Sequence, residues 1–97
     1  MIPDYSILPE NLQGGMKRYI EDGIKPGDFL TACLQNDLIM AVGFASSKTY
    51  DYLYGVTYFL YNEVPGRGSP HCPWGSREAV LRHIERIGAA KAKQEAQ

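Results

Sequence analysis

The segment Pro-His-Cys-Pro-Trp-Gly-Ser at residues 70–76 is the densest chemistry in the chain, an imidazole beside a thiol, then an indole before a glycine and a serine. A structural zinc site takes about four ligands, paired as Cys-x-x-Cys or His-x-x-x-His. The whole supply here is Cys33, Cys72, His71 and His83, with no such pairing, so no metal ligand is assigned. A cysteine nucleophile needs a histidine base held by a third group. His71 and Cys72 are chain neighbours between Pro70 and Pro73, which favour an extended loop on which adjacent side chains point apart. No catalytic residue is assigned either. What remains is a rigid shoulder, in which Trp74 anchors the loop to the core and Ser76 caps the helix that follows.

One binding chemistry fits the same shoulder. Gly75 and Ser76 open a helix whose unpaired N–H groups attract negative charge, with Arg67 and Arg77 nearby and the flat face of Trp74 available for stacking. Trp74, Ser76, Arg77 and Arg67 are therefore the candidate ligand-binding residues, and a phosphate-bearing or nucleotide-like molecule is the ligand they suit. The turn Lys25-Pro26-Gly27-Asp28 is a weaker candidate, because Asp28 would repel an anion where its helix begins. No phosphate loop, dinucleotide fingerprint, serine elbow or paired-histidine zinc helix occurs, so the expectation is a protein that is not an enzyme and has no cofactor.

The elements that must carry these residues read as all-α, a single small domain over 1–97 of four or five short helices with an extended N-terminal arm over 1–8. Pro3 and Pro9 oppose regular structure in the arm, which lies on the body through Ile2, Tyr5, Ile7 and Leu8. Leu12, Met16, Tyr19 and Ile20 recur at helical spacing after Pro9, and Gly23 before Ile24 reads as a left-handed cap with a hydrophobic contact. Gly14 and Gly15 inside that helix imply either a close backbone approach or a late start. Asp28 is placed to cap a second helix with Phe29, Leu30, Ala32, Cys33 and Leu34 inward; Asn36 and Asp37 break it, and Leu38–Ala45 forms a third.

A fourth helix over roughly 48–62 holds five of the seven tyrosines and ends at Val64-Pro65. Tyr52, Val56 and Phe59 make one face, and Tyr50, Leu53, Thr57, Leu60 and Tyr61 make another. A helix apolar on all sides is buried on all sides. So small a domain seldom encloses one completely, and Tyr52, Val56 and Phe59 are the expected interface of a homo-oligomer. The last helix starts at Ser76 with Val80, Ile84 and Ile87 inward; past Gly88, residues 89–97 lack an apolar anchor and are expected to fray.

Composition bounds the function. The chain has 97 residues and a net charge of -1 from ten Lys or Arg and eleven Asp or Glu, without the basic excess that duplex nucleic acid demands. The longest apolar run, Leu38 to Ala45, falls well short of the roughly 20 residues of a membrane span. Two cysteines and no signal-like segment point to free thiols in a reducing cytoplasm.

Read together, "LPENLQGGMKRYIEDGIKPGDFLTACLQNDL", then "YFLYNEVP", then "WGS" resembles a family of small proteins encoded by tailed bacteriophages and prophages. The order of Pro9-Glu10, Arg18-Tyr19, Gly23-Ile24, Pro26-Gly27, Phe29-Leu30, Asn36-Asp37-Leu38, Leu60-Tyr61-Asn62, Pro65 and Trp74-Gly75-Ser76 carries the likeness across most of residues 8–80. Two segments depart from it, "VGFASSKTYDY", where the family is more polar, and "PGRGSPHCPWGS", which is longer and places Pro73 between cysteine and tryptophan. The family has no agreed activity, so the resemblance implies a setting: an accessory protein in the host cytoplasm that antagonises a bacterial process, above all immunity, by binding a defence protein or sequestering a nucleotide signal. The alternative is a small virion structural or assembly factor, and an enzyme is a distant third.

Overall fold

The computed structural model describes residues 3–45, 49–64, 66 and 69–95. The described residues form helices and turns only, the small all-α domain read from the sequence: α1 is Glu10–Asp22, α2 Asp28–Leu34, α3 Leu38–Gly43, α4 Thr49–Glu63 and α5 Arg77–Glu95. The arm holds one tight turn, Tyr5–Ile7, fixed by the Asp4 carboxylate accepting from the Ser6 N–H. It lies on α1 and α4, burying Leu8 and bringing the Tyr5 ring to 5.5 Å from Phe59.

Helix α1 starts after Pro9, which suits a terminus because its missing N–H is not needed there. It ends at Gly23 (φ 68), whose N–H returns to Tyr19 O while Ile24 N–H returns to Arg18 O. The cap is as expected, and Ile24 beside it is exposed. Gly23 answers a second need as well, since a Cβ there would lie 2.8 Å from Ile87 Cβ on α5. Gly15 likewise faces Leu30 Cδ1, at 3.3 Å from where its Cβ would be, so close approach to α2 explains that glycine.

The residue capping α2 is Gly27, not Asp28, which sits one place later in the first turn and makes no side-chain cap. Thr31 Oγ1 donates to Pro26 O and ties the turn down. Asn36 adopts left-handed backbone (φ 61) after α2, and the Asp37 carboxylate accepts from Met40 N–H to start α3. Both polar residues end or begin a helix, as short side chains that compete for backbone groups do.

The core is Leu8, Met16, Tyr19, Leu30, Leu34, Val56, Phe59, Leu60 and Val80. Val56 and Phe59 are completely buried in it, which corrects their expected role as an interface between copies; Tyr52, the third residue of that face, is half-buried. The outward face of α4 is Tyr54, Tyr58 and Tyr61. An aromatic circumference overstated burial because a tyrosine hydroxyl tolerates water.

Helix α5 runs through Gly88 to Glu95, into the stretch expected to fray, and Lys91 Nζ reaches Asp22 Oδ1 at 2.7 Å. Ala89, Ala90 and Ala92 are strong helix formers and offset the single glycine. Among the described residues no helix is long and apolar enough to cross a membrane.

Candidate functional site

The 70–76 segment is sewn to three helices by hydrogen bonds from different partners. Tyr19 Oη on α1 donates to Pro73 O at 2.6 Å, Gly75 N–H donates to Leu34 O at the end of α2 at 2.8 Å, and Trp74 Nε1 donates to Val64 O just after α4 at 2.7 Å. Gly75 has φ 118, a conformation that L side chains rarely adopt, which lets its N–H turn back to Leu34 while the next residue starts α5. Ser76 Oγ accepts from Ala79 N–H at 3.1 Å, the expected N-cap.

His71 and Cys72 do point apart. His71 is exposed and its carbonyl accepts from Arg86 Nη2, whereas Cys72 is buried with its thiol directed to Trp74 O at 3.2 Å. The sulfur therefore has a partner that an open loop would not have given it. Cys33 and Cys72 are both free, and burial pushes the Cys33 thiol up to about 11, so it stays protonated near neutrality.

Behind the segment lies a polar cluster that the sequence did not announce. His83 Nε2 is 2.8 Å from Tyr19 O and Nδ1 is 3.0 Å from Arg86 Nη2. A guanidinium can only donate, so Nδ1 accepts, Nε2 carries the proton, and the ring is neutral with both nitrogens satisfied. Burial pushes His83 below its ordinary range, and Arg86 adds to this. Burial likewise pushes the Tyr19 phenol up.

Two open clefts meet at Trp74 and Asn36, which line both. The first, about 580 Å³, runs along the 70–76 segment and the start of α5 past Ser69, Pro70, Cys72, Gly75, Ser76, Ala79 and Arg82. Its exposed lining is mostly polar, with Arg82 as its cation among the described residues. The second, about 400 Å³, lies over α4 against Tyr54, Thr57, Tyr58, Tyr61 and Asn62, with Cys33 and Leu60 at its base. It is mostly apolar and aromatic; the rings of Tyr54 and Tyr58 stand 5.9 Å apart.

Of the candidate ligand residues, Trp74 and Ser76 are brought into this double cleft. Arg77 is exposed and lies outside it. At 3.6 residues per turn, position 77 is roughly 160° around the helix from Ala79, whereas Arg82 is within roughly 60° of it. Arg67 lies outside the described residues. The tyrosine lobe was legible as the i, i+4, i+7 spacing of Tyr54, Tyr58 and Tyr61, a stripe hidden by grouping Tyr61 with Leu53, Thr57 and Leu60. Asn36 was readable as a helix breaker, but its position in both clefts was not. Among the described residues no three His, Cys, Asp or Glu side chains gather as metal ligands. Comparison of the chain with family models, with curated proteins and with solved structures gave no match in any of the three.

Proposed function

We propose that the chain is a non-enzymatic binding protein, encoded by a phage and acting in the host cytoplasm to antagonise a bacterial process, above all immunity. It does so by holding a defence protein or the small signal that such a protein uses. The observation that carries the binding reading is the double cleft. Asn36, Asn62 and Trp74-Gly75-Ser76, which stand far apart in the chain, converge on it, and a wall fixed to α1, α2 and α4 holds it in shape. Concave, preformed surfaces with a few polar groups on an apolar lining are what ligand sites share. Its thiols support holding over reacting, since Cys33 stays protonated and Cys72 is engaged with a carbonyl. The phage setting is supported by the order of the segments that resembles the phage family, and three of those segments meet at the cleft.

The test is plating efficiency. Hosts carrying different antiviral systems, each expressing this chain, should regain susceptibility in at least one case, and Trp74→Ala should remove the effect while the protein remains folded. Unchanged plating on every such host, with the chain recovered in purified virions, would establish the second reading, a virion assembly factor. One observation favours that alternative: α3 exposes Leu38, Ile39, Met40 and Val42, an apolar surface suited to another protein or another copy.

A further inference from the structure

We propose that the two clefts form one site for a free nucleotide carrying singly charged phosphates, with the base in the tyrosine lobe against Trp74 and the phosphate in the polar lobe at Arg82. The proposal rests on the reading of the double cleft as a ligand site and names the class of ligand.

The two lobes differ in the way the two ends of a nucleotide differ. Tyr58 and Tyr61 offer exposed aromatic faces in the apolar lobe, and any base can stack on such a face. Trp74 is held by its Nε1 bond to Val64 O, so the ring is set in place before a ligand arrives and ordering it adds little to the cost of binding. Asn62 has committed its Nδ2 to Tyr58 O, which leaves its carbonyl oxygen as an acceptor for a base amino group.

In the other lobe Arg82 is the cation, and it forms no ion pair with a carboxylate among the described residues. The Ser76 hydroxyl accepts from Ala79 N–H and keeps its own proton to donate. One guanidinium and one hydroxyl balance one phosphate charge. A triphosphate would bring several charges to this single cation, with Glu78 one helical turn away, so cyclic mononucleotides and cyclic dinucleotides, whose phosphodiesters carry one charge each, fit and nucleoside triphosphates do not.

The chain has a single tryptophan, so its fluorescence reports this site directly, with calorimetry as the second readout. The probes are cyclic di-AMP, cyclic di-GMP, cyclic AMP, ATP, inorganic phosphate and a short single-stranded oligonucleotide. At least one cyclic dinucleotide or cyclic AMP should bind and change the indole emission, ahead of ATP and of phosphate alone. Arg82→Ala should weaken that binding by about 10- to 100-fold, the worth of one charge-assisted hydrogen bond, and Tyr61→Ala by about fivefold or more. Arg77→Ala should leave it unchanged. Arg82 and Tyr61 are exposed, so both variants should keep the wild-type thermal midpoint.

Absence of binding by all cyclic probes, equal affinity after Arg82→Ala, or tighter binding of the oligonucleotide would each overturn the proposal. A plating effect that persists without nucleotide binding overturns this assignment and leaves the proposed function. Nucleotide binding without any plating effect does the reverse.

Discussion

At the scale of single residues, the decisive group is His83, which no spacing marked as special. It is neutral because it is buried and because both ring nitrogens are already committed, one to Tyr19 O and one to Arg86. Its folded-state pKa therefore lies below the ordinary value of about 6.5. As pH falls below about 6.5 the unfolded chain takes up a proton that the folded chain refuses. The contribution of His83 to stability is thus complete above that pH and is lost as pH falls through the folded-state value. Urea midpoints measured between pH 7.5 and pH 5 should decline, and the decline should be smaller in His83→Gln, which keeps a side-chain donor and removes the titration. An equal decline in both proteins would assign the pH dependence to other groups. Cys72 is the counter-example: in sequence its sulfur had no partner and no catalytic role, whereas burial and the bond to Trp74 O make it part of the loop's own wiring.

Between elements, much depends on the end of α1. Gly23 is required twice there, for its left-handed backbone and for the contact with Ile87 of α5. Gly23→Ala should lower stability by about 2–4 kcal/mol, combining roughly 1–2 for the backbone with an overpacking term. In an Ile87→Gly background the same change should cost only about 1–2 kcal/mol, because the Cβ that presses on it is gone. Denaturant titration of the four proteins of this cycle measures the difference, and full additivity would show that Ile87 does not press on that site. The left-handed turn was legible from Gly23 followed by an apolar residue. The press of α5 was not, since nothing local in sequence marks which helix will cross at a glycine. The same limit applied to α4, where Tyr52, Val56 and Phe59 at i, i+4, i+7 form the inward stripe and Tyr54, Tyr58 and Tyr61, at the same spacing, the outward one. Two stripes of equal periodicity cannot be ranked by period alone.

For the molecule as a whole, the exposed aliphatic side chains among the described residues gather on α3 rather than α4. Ile39 is 82% exposed, Leu38 61% and Val42 52%, and no charge falls between Leu38 and Ala45. Such a patch favours association. Self-association, expected earlier through α4, should therefore run through α3: sedimentation at micromolar concentration should show a dimer or larger species that Ile39→Asp with Val42→Asp returns to monomer at an unchanged thermal midpoint. Phe59→Ser should instead unfold the chain, because that ring is in the core. A wild-type monomer would remove the idea.

What the sequence determined by itself was everything that local chemistry decides. Helical periodicity set the all-α class, Gly23, Asn36, Asp37 and Ser76 set helix ends through φ and side-chain caps, and the flanking prolines kept His71 and Cys72 from acting as a pair. The tertiary structure alone decided which stripe of α4 faces in, which arginine reaches the cleft, and that Asn36, Asn62 and Trp74 meet there. These depend on how helices far apart in the chain cross and rotate against one another. That rotation is fixed by the summed fit of many buried side chains, which no short stretch of sequence contains.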